Sequence, residues 1–150
     1  MPLTLLFAVL VIVLDQAAKA LVMARMAMGE SRAVIPGLLH FTYVRNPGAA
    51  YGMLAGGRWF LAAVALVMTG VALYLAPRLK QPWERVALGL LIGGALGNML
   101  DRVRWGLVTD FVEIPPLRIF QVFNLADLAI TAAVVLVAGQ WVFNRNAFRD

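Results

Sequence analysis

Two aspartates, Asp110 and Asp127, sit in apolar surroundings within one stretch, VTDFVEIPPLRIFQVFNLADLAI at residues 108–130. A carboxylate is expensive at membrane depth, and where one persists there it marks function. Two that share a site cannot both ionise cheaply, so the pair holds one proton between them. The ionised partner can draw a proton from water while the protonated one polarises a carbonyl or protonates a leaving amine. That is hydrolytic chemistry, and it needs no cofactor. Asn124 lies one helical turn before Asp127, which places both on one face of the same helix near the membrane surface. Asp110 lies on a strand-like loop that Pro115-Pro116 can fold back over the start of that helix.

The elements that must position these groups follow from composition. The chain has 150 residues, 62% hydrophobic and only 14% charged, too apolar for a soluble domain of this size. A hydrocarbon core about 30 Å thick needs about 20 apolar helical residues per crossing, which leaves room for roughly four spans in a single domain, 1–150. Residues 3–14 are uncharged and, Thr4 apart, apolar, and the run resumes after Asp15, Gln16 and Lys19 as far as Met28. A cleavable signal peptide is disfavoured there, because no Lys or Arg precedes the apolar segment and a carboxylate lies inside it. This is span one. Residues 29–58 form a loop with a turn at Pro36-Gly37 and a strand at 39–44, alternating Leu39, Phe41 and Tyr43 on one face. Span two runs over 59–76, opened by the interfacial Trp59 and closed by Pro77. Arg78, Lys80, Glu84 and Arg85 make a polar hairpin before span three at 86–102.

Span three carries Gly89, Gly93 and Gly97 at four-residue spacing, a flat face against which another helix can pack closely. It also turns Asn98, Asp101 and Arg102 inward at its end. Residues 105–123 are a second loop, with VTDFVEI and LRIFQVF both readable as strands, and 124–143 is span four, followed by a tail with Arg145 and Arg149. The density of basic residues in the 78–85 hairpin and the tail favours cytoplasmic termini.

Elimination narrows the chemistry. Zero cysteines removes disulfides and thiolate nucleophiles, and the single His40 rules out a multi-histidine metal site. A serine hydrolase would have to use Ser31 and His40 with no G-x-S-x-G turn. The net charge of +5 is scattered, with no basic stripe or stacking platform for nucleic acid. Carboxylate chemistry remains. Against it stands ion pairing alone, with Arg102, Arg104 or Lys19 as partners for the two aspartates. Asp15 with Lys19, at i and i+4, and Asp101 with Arg102 are the pairs expected on that view.

Five ordered blocks carry a resemblance: DQAAK at 15–19, RNPGAAYG at 45–52, GGALGNMLDR at 93–102, VTDF at 108–111 and FNLADLAI at 123–130. Together they resemble the lipoprotein signal peptidase (signal peptidase II) family. The resemblance implies an all-α integral membrane protein of four transmembrane helices with a small extracytoplasmic β-sheet cradle, resident in the bacterial cytoplasmic (inner) membrane with cytoplasmic termini. It implies an aspartic endopeptidase that cuts prolipoproteins just before the diacylglyceryl-cysteine, with Asp110 and Asp127 as the catalytic pair near the extracytoplasmic face. The family's polar residues fall on Asp15, Lys19, Asn46, Asn98, Arg102 and Asn124, which support the pair or position substrate; Asn46 and Arg102 are the residues expected to grip the peptide backbone or the lipid-linked cysteine. The expected partners are a lipid-modified prolipoprotein, membrane lipid and globomycin-type inhibitors, with no nucleic acid, no cofactor, no metal and no second subunit. Tyr51 stands where Phe or Trp is more usual, Leu128 where serine is common, and FQVFN lacks a frequent proline. None removes a group the mechanism requires.

Two other classes compete. A proton or ion relay through Asp15, Lys19 and Asp127 needs ionisable groups at successive depths, and spans two and three offer none until the end of span three. An inactive packing partner suits the glycine ladder but leaves the gathering of polar groups toward one membrane face unexplained.

Overall fold

The computed structural model describes residues 1–48, 53–117 and 122–144. Four helices dominate: α1 (Pro2–Arg25), α2 (Arg58–Leu75), α3 (Pro82–Trp105) and α4 (Leu125–Asn144). All four are long and apolar enough to cross a membrane. Between α1 and α2 lie strands β1 (Ser31–Ile35) and β2 (Leu39–Asn46), and between α3 and α4 lies β3 (Val108–Glu113). The three strands form one antiparallel sheet in the order β1-β2-β3. Because the helices alternate in direction, every strand falls at the same end of the bundle.

The element boundaries have local causes. Helix α1 stops at Arg25, three residues short of the expected Met28, because Met26 turns extended (φ −130°, ψ 142°). Helix α3 starts at Pro82, so Glu84 and Arg85 belong to its first turn and not to a loop. Proline suits that first position because its missing N–H would have no helical partner. Glu84 reaches back to accept from the backbone N–H of Gln81 at 2.8 Å and of Lys80 at 2.9 Å. At the other end α3 runs past Arg102 to Trp105 and is stopped by Gly106, whose φ of +76° is left-handed. A side chain there would also meet Arg58 Nη1 at 2.9 Å, so the head of α2 is tucked against the end of α3.

Helix α3 is the centre of the bundle, packing on α1, α2 and α4. The glycine ladder faces α1: a Cβ on Gly89 would lie 2.6 Å from the Thr4 carbonyl, one on Gly93 2.6 Å from Val11 Cβ, and one on Gly97 2.8 Å from the Asp15 carboxylate. Gly94 faces the other way, where a Cβ would come to 2.5 Å from the Ala126 carbonyl of α4. In lipid no hydrophobic effect drives helices together, so close packing of this kind carries the association. Helix α2 meets α3 through Ala72 and Ile92, which cluster with Ala8. It makes no comparable packing with α4, and a gap opens between them.

The sheet closes this end. Val22, Tyr43 and Phe111 form a buried cluster that seats it on α1. Arg45 lies 5.8 Å from the rings of both Tyr43 and Trp105, tying β2 to the end of α3. Strand β1 was not expected from the sequence, since SRAVI is exposed along its whole length and shows no buried face; it exists through pairing with β2. The expected common face of Leu39, Phe41 and Tyr43 is only partly buried, because the β2–β3 register shifts between Phe41 and Val44; Tyr43 goes inside and Phe41 stays 39% exposed. The strand expected in VTDFVEI is β3. Of LRIFQVF, Phe123 bridges Val112, while residues 118–121 lie outside the described residues, as do 49–52 with Tyr51, and Arg145 and Arg149 of the tail.

Candidate active site

The site is built on the first turn of α4. Asn124 is its N-cap: Asn124 Oδ1 accepts from the Asp127 N–H at 2.9 Å, and Asp127 Oδ2 accepts from the Asn124 N–H at 3.2 Å. This reciprocal pair is a capping box with aspartate in the place usually held by Glu or Gln. The bonds that start the helix therefore also fix Asp127. Asn124 is not simply beside Asp127 on one helix face, as the spacing implied; it stands at the cap, fully buried. Its Nδ2 points away from the helix and donates to Asp110 Oδ1 at 2.7 Å, Asn98 Oδ1 at 3.0 Å and the Thr109 carbonyl at 3.3 Å.

Asp110 is held by β3, opposite Val44 of β2. Two residues along β2 from Val44, Asn46 donates its Nδ2 to Asp110 Oδ2 at 3.1 Å. Asn98 of α3 donates its Nδ2 to Asp127 Oδ1 at 2.8 Å. Each of the four carboxylate oxygens thus accepts an N–H, and among the described residues neither aspartate is in an ion pair. Burial, followed by the neighbouring Asp127 charge, pushes the Asp110 carboxyl well above the usual carboxylate range. The amides of Asn46 and Asn124 and the more distant Lys19 pull it back.

Behind this pair lies an ionic cluster. Lys19 Nζ contacts Asp15 Oδ2 at 2.8 Å, Asp101 Oδ2 at 3.2 Å and Asn98 Oδ1 at 3.0 Å, using all three ammonium donors. Lys19 is 1% exposed, Asp15 0% and Asp101 2%, so the charges survive only as a mutually satisfied set. The expected Asp15–Lys19 pair is present. Asp101 does not pair with Arg102: adjacent helical residues point in different directions, and Arg102 instead donates to the Gly48 carbonyl at 2.9 Å and that of Asn98 at 3.3 Å. Asp15 Oδ1 also takes the Ala126 N–H at 3.0 Å, capping α4 from α1. Asp15 and Lys19 therefore hold helices together and back the site without lining it.

Two contributors escaped the sequence reading. Gln16 donates to Asp101 at 3.0 Å and to the Gly97 carbonyl at 3.2 Å, and the Thr109 N–H donates to Asp101 at 2.9 Å. Gln16 was legible as a polar side chain inside an apolar run, next to Asp15. Thr109 was not, because its contribution is backbone.

In front of the carboxylates is a cavity of about 620 Å³. Asn46, Asn98, Arg102, Asp110 and Asp127 gather on it, and its remaining walls are largely apolar, from α2 (Val64, Met68), α3 (Leu91, Ala95) and α4 (Ile130). It occupies the gap between α2 and α4. Among the described residues no group of three or more His, Asp or Glu is placed to hold a metal ion.

A bundle able to span a membrane, with two facing carboxylates in an apolar-walled cavity, defines a membrane-embedded enzyme. Two solved structures, each described as a bacterial membrane enzyme, share the fold. One covers 100% of this chain and 93% of its own at TM-score 0.92 and 33% identity, the other 92% and 91% at 0.84 and 35%. A family model described as signal peptidase II matches residues 7–143. The lipoprotein signal peptidase of Symbiobacterium thermophilum is 45% identical over 138 residues, 90% of this chain and 91% of its own length. That of Moorella thermoacetica is 42% identical over 140 residues, 91% and 90% of the two chains. The chain belongs to the signal peptidase II family.

Proposed function

We propose that residues 1–150 form one membrane-embedded aspartic endopeptidase that removes the signal peptide from diacylglyceryl-modified prolipoproteins, cutting just before the lipid-linked cysteine. The observation that carries this reading is the couple Asp110 and Asp127, held by amides and, among the described residues, in no ion pair, on the wall of a cavity lined with apolar side chains. A merely structural pair of buried carboxylates would be neutralised by Lys or Arg, as Asp15 and Asp101 are by Lys19.

The roles divide by environment. Asp127 lies in the first turn of α4, where the helix dipole favours negative charge, and its Asn98 partner is backed by Lys19. Asp110 lies on a strand, bonded to neutral amides, and holds the proton. Asp127 takes a proton from a water placed between the carboxyls, the resulting hydroxide attacks the scissile carbonyl, and Asp110 protonates the developing oxyanion. Collapse of the tetrahedral intermediate breaks the C–N bond: the proton on Asp127 passes to the leaving amine of the lipid-linked cysteine, and Asp110 takes back a proton from a hydroxyl of the intermediate as the product carboxyl forms, which restores the pair to its starting state.

Arg102 and Asn46 present donors at the same wall for the peptide backbone, and the gap between α2 and α4 admits a substrate whose acyl chains already lie in the bilayer. On this reading the chain acts as a monomer in the bacterial inner membrane, termini cytoplasmic and site extracytoplasmic, and globomycin-type inhibitors occupy the cavity. Asp110→Asn and Asp127→Asn each abolish cleavage while the protein stays folded, since an amide neither accepts the water proton nor supplies one. The measurement is a gel-mobility assay of a diacylglyceryl-modified precursor with purified enzymes; near-wild-type cleavage by either variant overturns the assignment.

A further inference from the structure

Thr109, the residue before Asp110, is fully buried and clamped from two sides. Its N–H donates to Asp101 Oδ2 of α3 at 2.9 Å, and its carbonyl accepts from Asn124 Nδ2 at 3.3 Å. The N–H and C=O of a strand residue point to the same side, so both are turned away from β2, and Asp101 and Asn124 take the place of a further strand. This clamp sets where Asp110 lies. Its Asn124 half is the N-cap of α4; its Asp101 half has a support of its own.

Asp101 Oδ2 meets Lys19 Nζ at 3.2 Å as well as the Thr109 N–H, and Oδ1 accepts from Gln16 Nε2 at 3.0 Å. With a donor on each oxygen, the carboxylate is held against rotation and Oδ2 stays on Thr109. The Gln16 amide is oriented in turn. Its Nε2 faces only acceptors, which besides Asp101 are the Gly97 carbonyl at 3.2 Å and Asp15 Oδ2 at 3.3 Å. Its Oε1 accepts from Arg104 Nη1 at 3.2 Å, so each end of the amide has the partner its chemistry requires. Arg104 is exposed and, among the described residues, in no ion pair. A chain of hydrogen bonds thus runs from Arg104 at the surface through Gln16 and Asp101 to the backbone beside Asp110. Neither Gln16 nor Arg104 lines the cavity. Joining α1 to α3 is not what they are needed for, because the ladder of Gly89, Gly93 and Gly97 already does that by close packing.

We propose that Gln16 and Arg104 are positioning residues for the reaction: through Asp101 they hold Thr109, and with it the carboxyl of Asp110, in place against Asn124 and Asp127. This rests on the peptidase reading above, in which Asp110 is the acid. A displacement of about 1 Å at a reacting group can cost a hundredfold in rate, so a clamp two bonds removed from Asp110 has leverage on the chemistry.

Wild type, Gln16→Met, Arg104→Met and the double variant are purified in detergent, and kcat and KM for a diacylglyceryl-modified precursor are followed against pH. Methionine matches glutamine in length and changes no charge, and the charged groups that act on Asp110, namely Asp127, Lys19 and Arg102, stay in the chain. Loosening Thr109 lets Asp110 draw away from the Asn124 amide that favours its charged form, so the alkaline limb of kcat/KM, where the protonated acid is lost, moves to higher pH. Gln16→Met is expected to move that limb up by about half a unit, the effect of weakening one hydrogen bond. It should also lower kcat about tenfold with KM within about twofold. Arg104→Met should move the limb the same way by less, and add nothing in the Gln16→Met background, because Arg104 acts through Gln16. An unmoved or lowered limb with Gln16→Met overturns the proposal even if kcat falls, since lost stability reduces the amount of active enzyme and not the pH at which it works. An equal Arg104→Met shift in both backgrounds removes Arg104 from the relay. Gln16→Leu, equally neutral, carries the same test if Gln16→Met is not recovered folded, and failure of both to fold makes Gln16 a structural residue and overturns the proposal. A wild-type profile with no alkaline limb removes Asp110 from the acid role and the relay with it. Failure of wild type to cleave the precursor overturns the peptidase reading and this proposal together, whereas wild-type cleavage with an unmoved limb overturns this proposal alone.

Discussion

Asn124 serves two carboxylates with the two ends of one amide: Oδ1 caps the helix that carries Asp127, and Nδ2 grips Asp110. The two duties separate on substitution. Asn124→Ser keeps an N-cap oxygen and is expected to melt close to wild type, since serine caps about as well as asparagine. It deletes the N–H donor to Asp110, and cleavage should fall at least tenfold; thermal melting and precursor cleavage on the same preparation check both halves. Asn46 gives a second test through pH. Its amide stabilises the charged form of Asp110, so removing it raises the carboxyl further. On the proposed mechanism activity needs Asp110 protonated and is lost as pH rises through its pKa, so Asn46→Leu is expected to move the alkaline limb of kcat/KM to higher pH, whatever it does to the maximum rate. An unmoved or lowered limb would remove Asp110 from the acid role.

Helix α3 works as an element because its small residues lie on two faces. The ladder of Gly89, Gly93 and Gly97 brings in α1 with Asp15 and Lys19, and Gly94 brings in α4 with Asp127. Gly94→Leu forces α4 outward from a contact that already leaves no room for a Cβ, at a cost of about 1–3 kcal/mol, and drags Asp127 with it. Folded protein should still be recovered, with cleavage lost. Gly139 and Gly70, around which a Cβ meets nothing within 4 Å, are the controls. Gly139→Ala should retain cleavage and gain up to about 1 kcal/mol in helix propensity. Equal activity of Gly94→Leu and Gly139→Ala would show that the α3–α4 contact does not position the site. The glycine ladder was legible as a flat face in the sequence. Which helix it meets, and that Gly94 serves the opposite face, was not, because spacing reports a face and not its partner.

At the scale of the whole molecule, the sheet, the carboxylates and the head of the cavity share one end of the bundle, opposite the N-terminus and the α2–α3 connection. The chain contains no cysteine, so single introduced thiols report sidedness directly. Leu38→Cys in the exposed β1–β2 turn should react with a membrane-impermeant maleimide on intact cells, and Lys80→Cys between α2 and α3 only after permeabilisation. The reverse pattern would invert the orientation and place the site on the cytoplasmic side.

The sequence by itself determined the four spans and the strand that holds Asp110, and it singled out Asp110 and Asp127 as the candidate pair, because hydropathy runs, capping residues and buried charges are properties of short stretches of chain. The tertiary structure alone decided the pairings. Asn124 reaches Asp110 across 14 positions, Asn46 reaches it across 64, and Asp15 caps α4 across 111. No local pattern encodes such contacts. They arise when glycine-faced helices close around α3, and the same closure takes Asp101 from its neighbour Arg102 and gives it to Lys19, leaving Asp110 and Asp127 in no ion pair among the described residues. The cavity has the same origin: it is the space left because α2 and α4 each pack closely on α3 and have no comparable packing on one another.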